Sequence, residues 1–144
     1  MSRLLVADDE ESLRRILQDF LVQMGHEVDT AEDGTAAERL INSRPYDVAL
    51  LDIRMDGVGG LELLDRIRQR GLRTQVIIIT AQDTMKNAIE AMKRGAYDYL
   101  AKPFDVDELE ILVSKALREK ALEAEVESLR DEVKTYSSLR SDKP

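Results

Sequence analysis

The chain has 144 residues, 29 acidic against 21 basic side chains, and a formal net charge of −8. That length suits one domain with a real core, and the acid excess argues against a broad nucleic-acid surface, because phosphate binding draws on Lys and Arg. No cysteine is present, which excludes a disulfide framework, a thiol nucleophile and a Cys-based zinc site.

In chain order, short apolar runs alternate with longer segments of helical period. RLLVAD predicts a first strand and Ser12 to Met24 a helix; HEVDTA predicts a second strand and Thr35 to Ile41 a helix. DVALLD is followed by a helix over Leu61 to Arg70, QVIIIT by one over Thr84 to Lys93, and YDYLAK by one from Val106 onward. Repeated strand–helix units predict a parallel sheet with helices on both faces. Leu4–Ala7, Val48–Leu51 and Val76–Ile79 are continuously apolar, as strands covered on both sides should be. HEVDTA alternates instead and reads as an edge strand. Gly25, Gly71 and Gly95 fall just past helical runs, where a left-handed cap is wanted, and Asp105 with Glu108 forms a plausible capping box for the last helix.

The strand ends carry the chemistry. An open parallel sheet binds ligands at the carboxyl ends of its strands, where strand order reverses. Strand one ends in Asp8 and Asp9, strand three in Asp52, strand four in Thr80 and strand five in Lys102 before Pro103. In the flavodoxin-like order 2-1-3-4-5 these strands are neighbours, and all five residues share one rim. Three crowded carboxylates cannot all stay ionised unaided. Oxygen ligands without His or Cys point to a hard cation, Mg²⁺ or Mn²⁺. An ionised Asp beside a dication, an ammonium and a hydroxyl is suited to accept a phosphoryl group. Asp52 is then the nucleophile, Asp8 and Asp9 the metal site, Lys102 the phosphate anchor and Thr80 the donor to a phosphoryl oxygen. Taken singly, each has a plainer role: Asp8 and Asp9 as caps of the first helix, Thr80 as a strand-end hydroxyl, Lys102 as a solvated side chain. Their coincidence on one edge favours the site.

The segments VADDEES, DVALLDIRM, GLELL, VIIITA and GAYDYLAKPF occur together and in this order. From about Ser2 to Ala121 the chain resembles the receiver domain of bacterial two-component response regulators. AMKRGAYDYLAKPF is most similar to receivers of the nitrogen-regulatory class, which precede an ATPase that activates transcription. The resemblance implies that Asp52 accepts a phosphoryl group from the phosphohistidine of a sensor histidine kinase. It implies Mg²⁺ ligation by Asp9, Asp52 and the backbone carbonyl of Arg54, with Asp8 acting through water. It also implies a cis Lys102–Pro103 bond, a regulatory rather than enzymatic role, and a switch formed by Thr80 and Tyr99. By itself Tyr99 reads equally well as strand packing. Asp56 stands where the family usually has Pro; with Gly57, Gly59 and Gly60 it predicts a looser loop and an altered metal affinity.

From about Leu117 to Leu139 the chain is charged, free of Gly and Pro, and helical in pattern. With Leu122, Leu129 and Tyr136 at d and Val126 and Val133 at a, a heptad emerges, and β-branched a with Leu at d favours a parallel dimer. The alternative is a solvated, fraying helix. This divides the chain into a receiver domain, 1–121, and a helical linker with a short coiled coil, 122–144. Self-association is expected through that helix, through the face of the fourth helix, fifth strand and fifth helix, or both. The start is too short and acidic for a signal peptide, and no apolar run approaches the ~20 residues that span a bilayer, so a cytoplasmic location without membrane contact is expected. The chain ends without a basic DNA-reading helix or output domain, predicting a fragment or a stand-alone module. A haloacid-dehalogenase-type phosphatase uses similar chemistry but needs D-x-D on the first strand, where this chain has Asp8 followed by Glu10. A phosphorylation-independent dimerisation scaffold is the other competing reading.

Overall fold

The computed structural model describes residues 2–81 and 85–141, with side chains in the last helix described through residue 130. The elements are β1 (Arg3–Ala7), α1 (Glu11–Gln23), β2 (Glu27–Ala31), α2 (Gly34–Ser43), β3 (Val48–Asp52) and α3 (Gly60–Gln69). They continue as β4 (Gln75–Ala81), α4 (Met85–Lys93), β5 (Asp98–Lys102) and α5 (Val106–Ser141). The strands pair in parallel in the order β2-β1-β3-β4-β5. This is the flavodoxin-like arrangement expected from the alternating pattern. The partly exposed β2 lies at an edge, and β3 is buried along its whole length.

The two-residue repeat of each strand divides the core between two faces. Leu5, Ala7, Ala49, Leu51, Val76 and Ile78 point toward α2, α3 and α4. Leu4, Val6, Val48, Leu50, Ile77 and Ile79 point toward Leu17 and Leu21 of α1 and Leu109, Val113 and Ala116 of α5. Burying each such Leu or Ile contributes roughly 1.5–3 kcal/mol. With both faces covered, the ends of the sheet are where polar groups can gather.

Local signals set the boundaries. Asp33 caps α2, its carboxylate accepting from Ala36 N–H at 2.8 Å. α1 starts after Glu10, which makes no side-chain cap. The Asp105 carbonyl accepts from Leu109 N–H at 3.3 Å, which puts Asp105 at the head of α5. Gly25, Gly71 and Gly95 all have positive φ, as their positions after helices require. Thr84, the expected first residue of the fourth helix, lies outside the described residues, as do the side chains of Val133 and Tyr136. α5 runs unbroken through residue 121 for 36 residues, about 54 Å at 1.5 Å per residue.

The β3–α3 connection returns tightly to the end of its own strand. Gly60 N–H donates to the Ile53 carbonyl at 3.1 Å, and a Cβ at Gly60 would overlap the Asp52 carbonyl. At Gly59 an added Cβ meets its nearest atom at an ordinary 3.6 Å. Gly60→Ala is therefore expected to lose about 1–3 kcal/mol through overpacking, while Gly59→Ala loses far less; paired urea melts measure the difference.

Candidate functional site

Register brings the rim together. Ala7 pairs with Leu51, Asp52 with Ile79, Thr80 with Ala101 and Ala81 with Lys102. Asp8, Asp52, Thr80 and Lys102 therefore leave successive neighbouring strands at one end of the sheet. Each of Asp8, Asp9 and Asp52 offers a carboxylate oxygen, and these three atoms lie within 4.8 Å of one another. Asp8 is 0% exposed and Asp52 6%, while Asp9 is open to solvent. Thr80 is buried beside them.

Asp8 is not a helix cap. Its Oδ1 accepts from Glu10 N–H at 2.9 Å, ahead of the first helical turn, and its carbonyl accepts from Arg14 Nη1 at 2.8 Å. That turn directs Oδ2 inward. Buried Oδ2 accepts no hydrogen bond among the described residues, although Lys102 Nζ lies 3.0 Å away as an ionic neighbour. Lys102 stands 3.5 Å from Asp52 Oδ2, so the ammonium is closer to Asp8 than to Asp52. Asp52 Oδ1 accepts from Arg54 N–H at 3.3 Å.

These contacts leave the pocket short of positive charge. Burial pushes the Asp52 carboxyl up from 3.8 to about 6; the Asp8 charge adds to this, while Lys102 and the Arg54 N–H oppose it. Burial alone would lower the Lys102 ammonium, but the two adjacent carboxylates outweigh it and raise its pKa. Three carboxylates against one ammonium leave two uncompensated negative charges when all are ionised. An all-oxygen donor set of three carboxylates within 4.8 Å of one another and a deficit of two charges fit a hard dication that keeps part of its water shell.

Tyr99, on β5, packs partly buried against the core that includes Leu51 and Ile78. Its hydroxyl reaches Met85 Sδ at 3.9 Å. The Lys102–Pro103 peptide is cis. The loop carrying Asp56 is tied down: Gly34 N–H donates to the Asp56 carbonyl at 3.1 Å, and a Cβ at Gly34 would overlap the Val58 carbonyl. The looseness expected from three glycines is thus opposed by close packing on the start of α2. Arg14 was invisible as a site residue in the sequence. Its only signal is a position one turn into α1, on the side that faces back to Asp8.

The model of the response regulator receiver domain matches residues 4–114, and the chain belongs to that family. It is 37% identical over 135 residues to the regulatory protein AtoC of Escherichia coli, covering 94% of this chain and 29% of that protein. With the DNA-binding transcriptional regulator NtrC of Escherichia coli it shares 43% identity over 112 residues, covering 78% of this chain and 24% of NtrC. Among solved structures, NtrX from Brucella abortus in complex with ATP superposes with a TM-score of 0.84 at 36% identity, covering 89% of this chain and 29% of that one. The receiver domain of the Francisella response regulator 1452 gives a TM-score of 0.78 at 37% identity, covering 83% and 98%. The chain spans about a quarter to a third of AtoC and NtrC.

The sign of the Asp52 shift yields a pH prediction. A folded pKa above the unfolded value means that the folded form binds the proton more tightly, so metal-free stability falls as pH rises from about 4 through about 6 and stays lower above. Asp52→Asn removes that loss. Relative to wild type without metal, the variant is expected to gain about 1–2 kcal/mol between pH 4 and pH 7, allowing for partial solvent screening; urea melts in EDTA at both pH values check this.

Proposed function

We propose that this domain is a phosphoryl-accepting signalling switch, with Asp52 as the acceptor and a sensor histidine kinase as the donor. The observation that carries the reading is the convergence of the Asp8, Asp9 and Asp52 carboxylates at one rim, with Lys102 as their ammonium neighbour. Asp52 attacks phosphorus, the P–N bond of the phosphohistidine breaks, and the leaving imidazole takes a proton. Asp9, Asp52 and the Arg54 carbonyl would hold a divalent cation, Mg²⁺ or Mn²⁺, with Asp8 acting through water. When bound, that cation neutralises charge on the phosphoryl oxygens. Lys102 keeps Asp52 ionised and turns its ammonium to the incoming phosphoryl group. Thr80 donates to one phosphoryl oxygen.

An apolar groove of about 420 Å³ borders the same rim, lined by Leu13, Ile16, Leu17, Phe104 and Val106 with Lys102 at its edge. It supports docking of the donor protein over Asp52. No helix among the described residues is long and apolar enough to cross a membrane.

The readout follows from energy. A hydrogen bond from Thr80 to a charged phosphoryl group contributes about 1.5–3 kcal/mol, and reversing a 1:99 equilibrium takes about 5.5. The remainder comes from metal binding and self-association. When Thr80 moves toward the phosphoryl group, Tyr99 turns into the space it leaves, and the surface of α4, β5 and α5 changes. Met85, Ile89, Met92 and Ile111 are exposed on α4 and α5, which supports a binding face there. The extended α5 supports a second dimer contact. Residues 1–121 act as the switch and the part of α5 beyond residue 121 as its helical linker; residues 142–144 of the expected linker lie outside the described residues.

Incubation with an acyl phosphate and Mg²⁺ is expected to add one acid-labile phosphoryl group, read by intact mass, and Asp52→Asn abolishes it. Lys102→Ala is expected to slow the reaction roughly 100-fold, the usual effect of removing one electrostatic contact to a developing charge. Continuous turnover of a generic phosphate ester would instead support a phosphatase.

A further inference from the structure

One face of α5 changes character as it leaves the sheet. Leu109, Val113 and Ala116 are fully buried, in steps of four and three that keep one helix stripe. The same steps lead on to Lys120, Glu123 and Glu127. Lys120 Nζ lies 2.7 Å from Asp47 Oδ1, just before β3. Glu127 pairs with Arg73, just before β4. Between residues 118 and 130, Lys120 and Glu127 are the residues that are partly buried, and the others are exposed. The stripe that packs under the sheet as hydrocarbon is thus continued as charge, held by the end of the sheet opposite Asp52.

A neighbouring stripe is left uncovered among the described residues. Leu122, Val126 and Leu129 are 52%, 44% and 54% exposed, at the 4-3 spacing of a coiled-coil seam. Lys120 and Glu127 fall at b positions of that heptad, so the grip of the domain leaves the a and d side chains uncovered. Arg118 and Glu125 at g face Glu123 and Arg130 at e in a parallel pair, which is complementary in charge to a second copy and favours it over an unrelated helix.

We propose that Asp47 and Arg73 are positioning residues for self-association: by gripping Lys120 and Glu127 they hold the α5 extension ordered, and a second copy of this chain docks on its Leu122–Val126–Leu129 face. This rests on the reading of the extension as a dimer contact. A helical extension that packs on nothing lacks the tertiary contacts that supply most helical stability in proteins. Holding it in place before the partner arrives removes ordering cost from association and fixes the direction in which the linker leaves the domain.

The test is amide hydrogen exchange over residues 119–130 of the full chain, made monomeric with Leu122→Gln and Leu129→Gln, both good helix formers. In that background Arg73→Glu is expected to speed exchange roughly two- to fivefold, as loss of an exposed ion pair should. Adding Glu127→Arg restores the original rate. Exchange indifferent to Arg73→Glu overturns the grip, even where sedimentation shows dimers that depend on Leu122. Sedimentation indifferent to the two Gln substitutions overturns the dimer contact, and docking of the second copy with it, whatever the exchange shows.

Discussion

Two buried carboxylates share one ammonium, and the rest of the site depends on that imbalance. Asp8 and Asp52 both sit within 3.5 Å of Lys102, and neither has solvent enough to spread its charge. Burial first, and the Asp8 charge second, push the Asp52 carboxyl up to about 6. A site held in that condition responds strongly to added charge. A bound dication would relieve it, and a phosphoryl group on Asp52, as proposed, would change what Thr80 and Lys102 face. The parallel sheet makes this possible by bringing four strand ends to one rim while both faces are sealed by helices.

The same sheet connects the rim to its opposite end. β4 carries Thr80 near one terminus and follows Arg73 at the other, and β3 runs from beside Asp47 to Asp52. These two short, buried strands link the acidic pocket to the residues that grip α5. Both strands are packed on their two faces, and the ion pairs of Asp47 with Lys120 and of Arg73 with Glu127 join their starts to the helical extension. That geometry gives a physical reason for an unbroken helix across the end of the domain.

Much of this was legible from the sequence because it is encoded locally. Continuous apolar runs such as VALLD and VIII can hardly be anything but covered strands, and Gly after each helical run marks its end. Asp52, Asp8, Asp9, Thr80 and Lys102 were visible because each terminates such a run, where a charge has no structural use. What stayed hidden depends on contacts between distant residues. Nothing near Lys102 says that its ammonium stands closer to Asp8 than to Asp52. Gly60 reads as one more loop glycine until the Asp52 carbonyl is found where its Cβ would be. The pairs Lys120–Asp47 and Arg73–Glu127 join residues more than fifty positions apart, and a charged helix face looks the same whether it meets water or an ion partner. Asp56 promised a loose loop from its own composition, but the restraint comes from Gly34 on another element.

The most direct measurement of the central imbalance is calorimetric titration of the domain with Mg²⁺ at pH 6 and pH 8 in buffers of different ionisation enthalpy. Because Asp52 is part-protonated near pH 6, binding should release roughly half a proton there and almost none at pH 8, with tighter binding at the higher pH. Mg²⁺ binding with equal affinity at both pH values and no proton release would contradict the account.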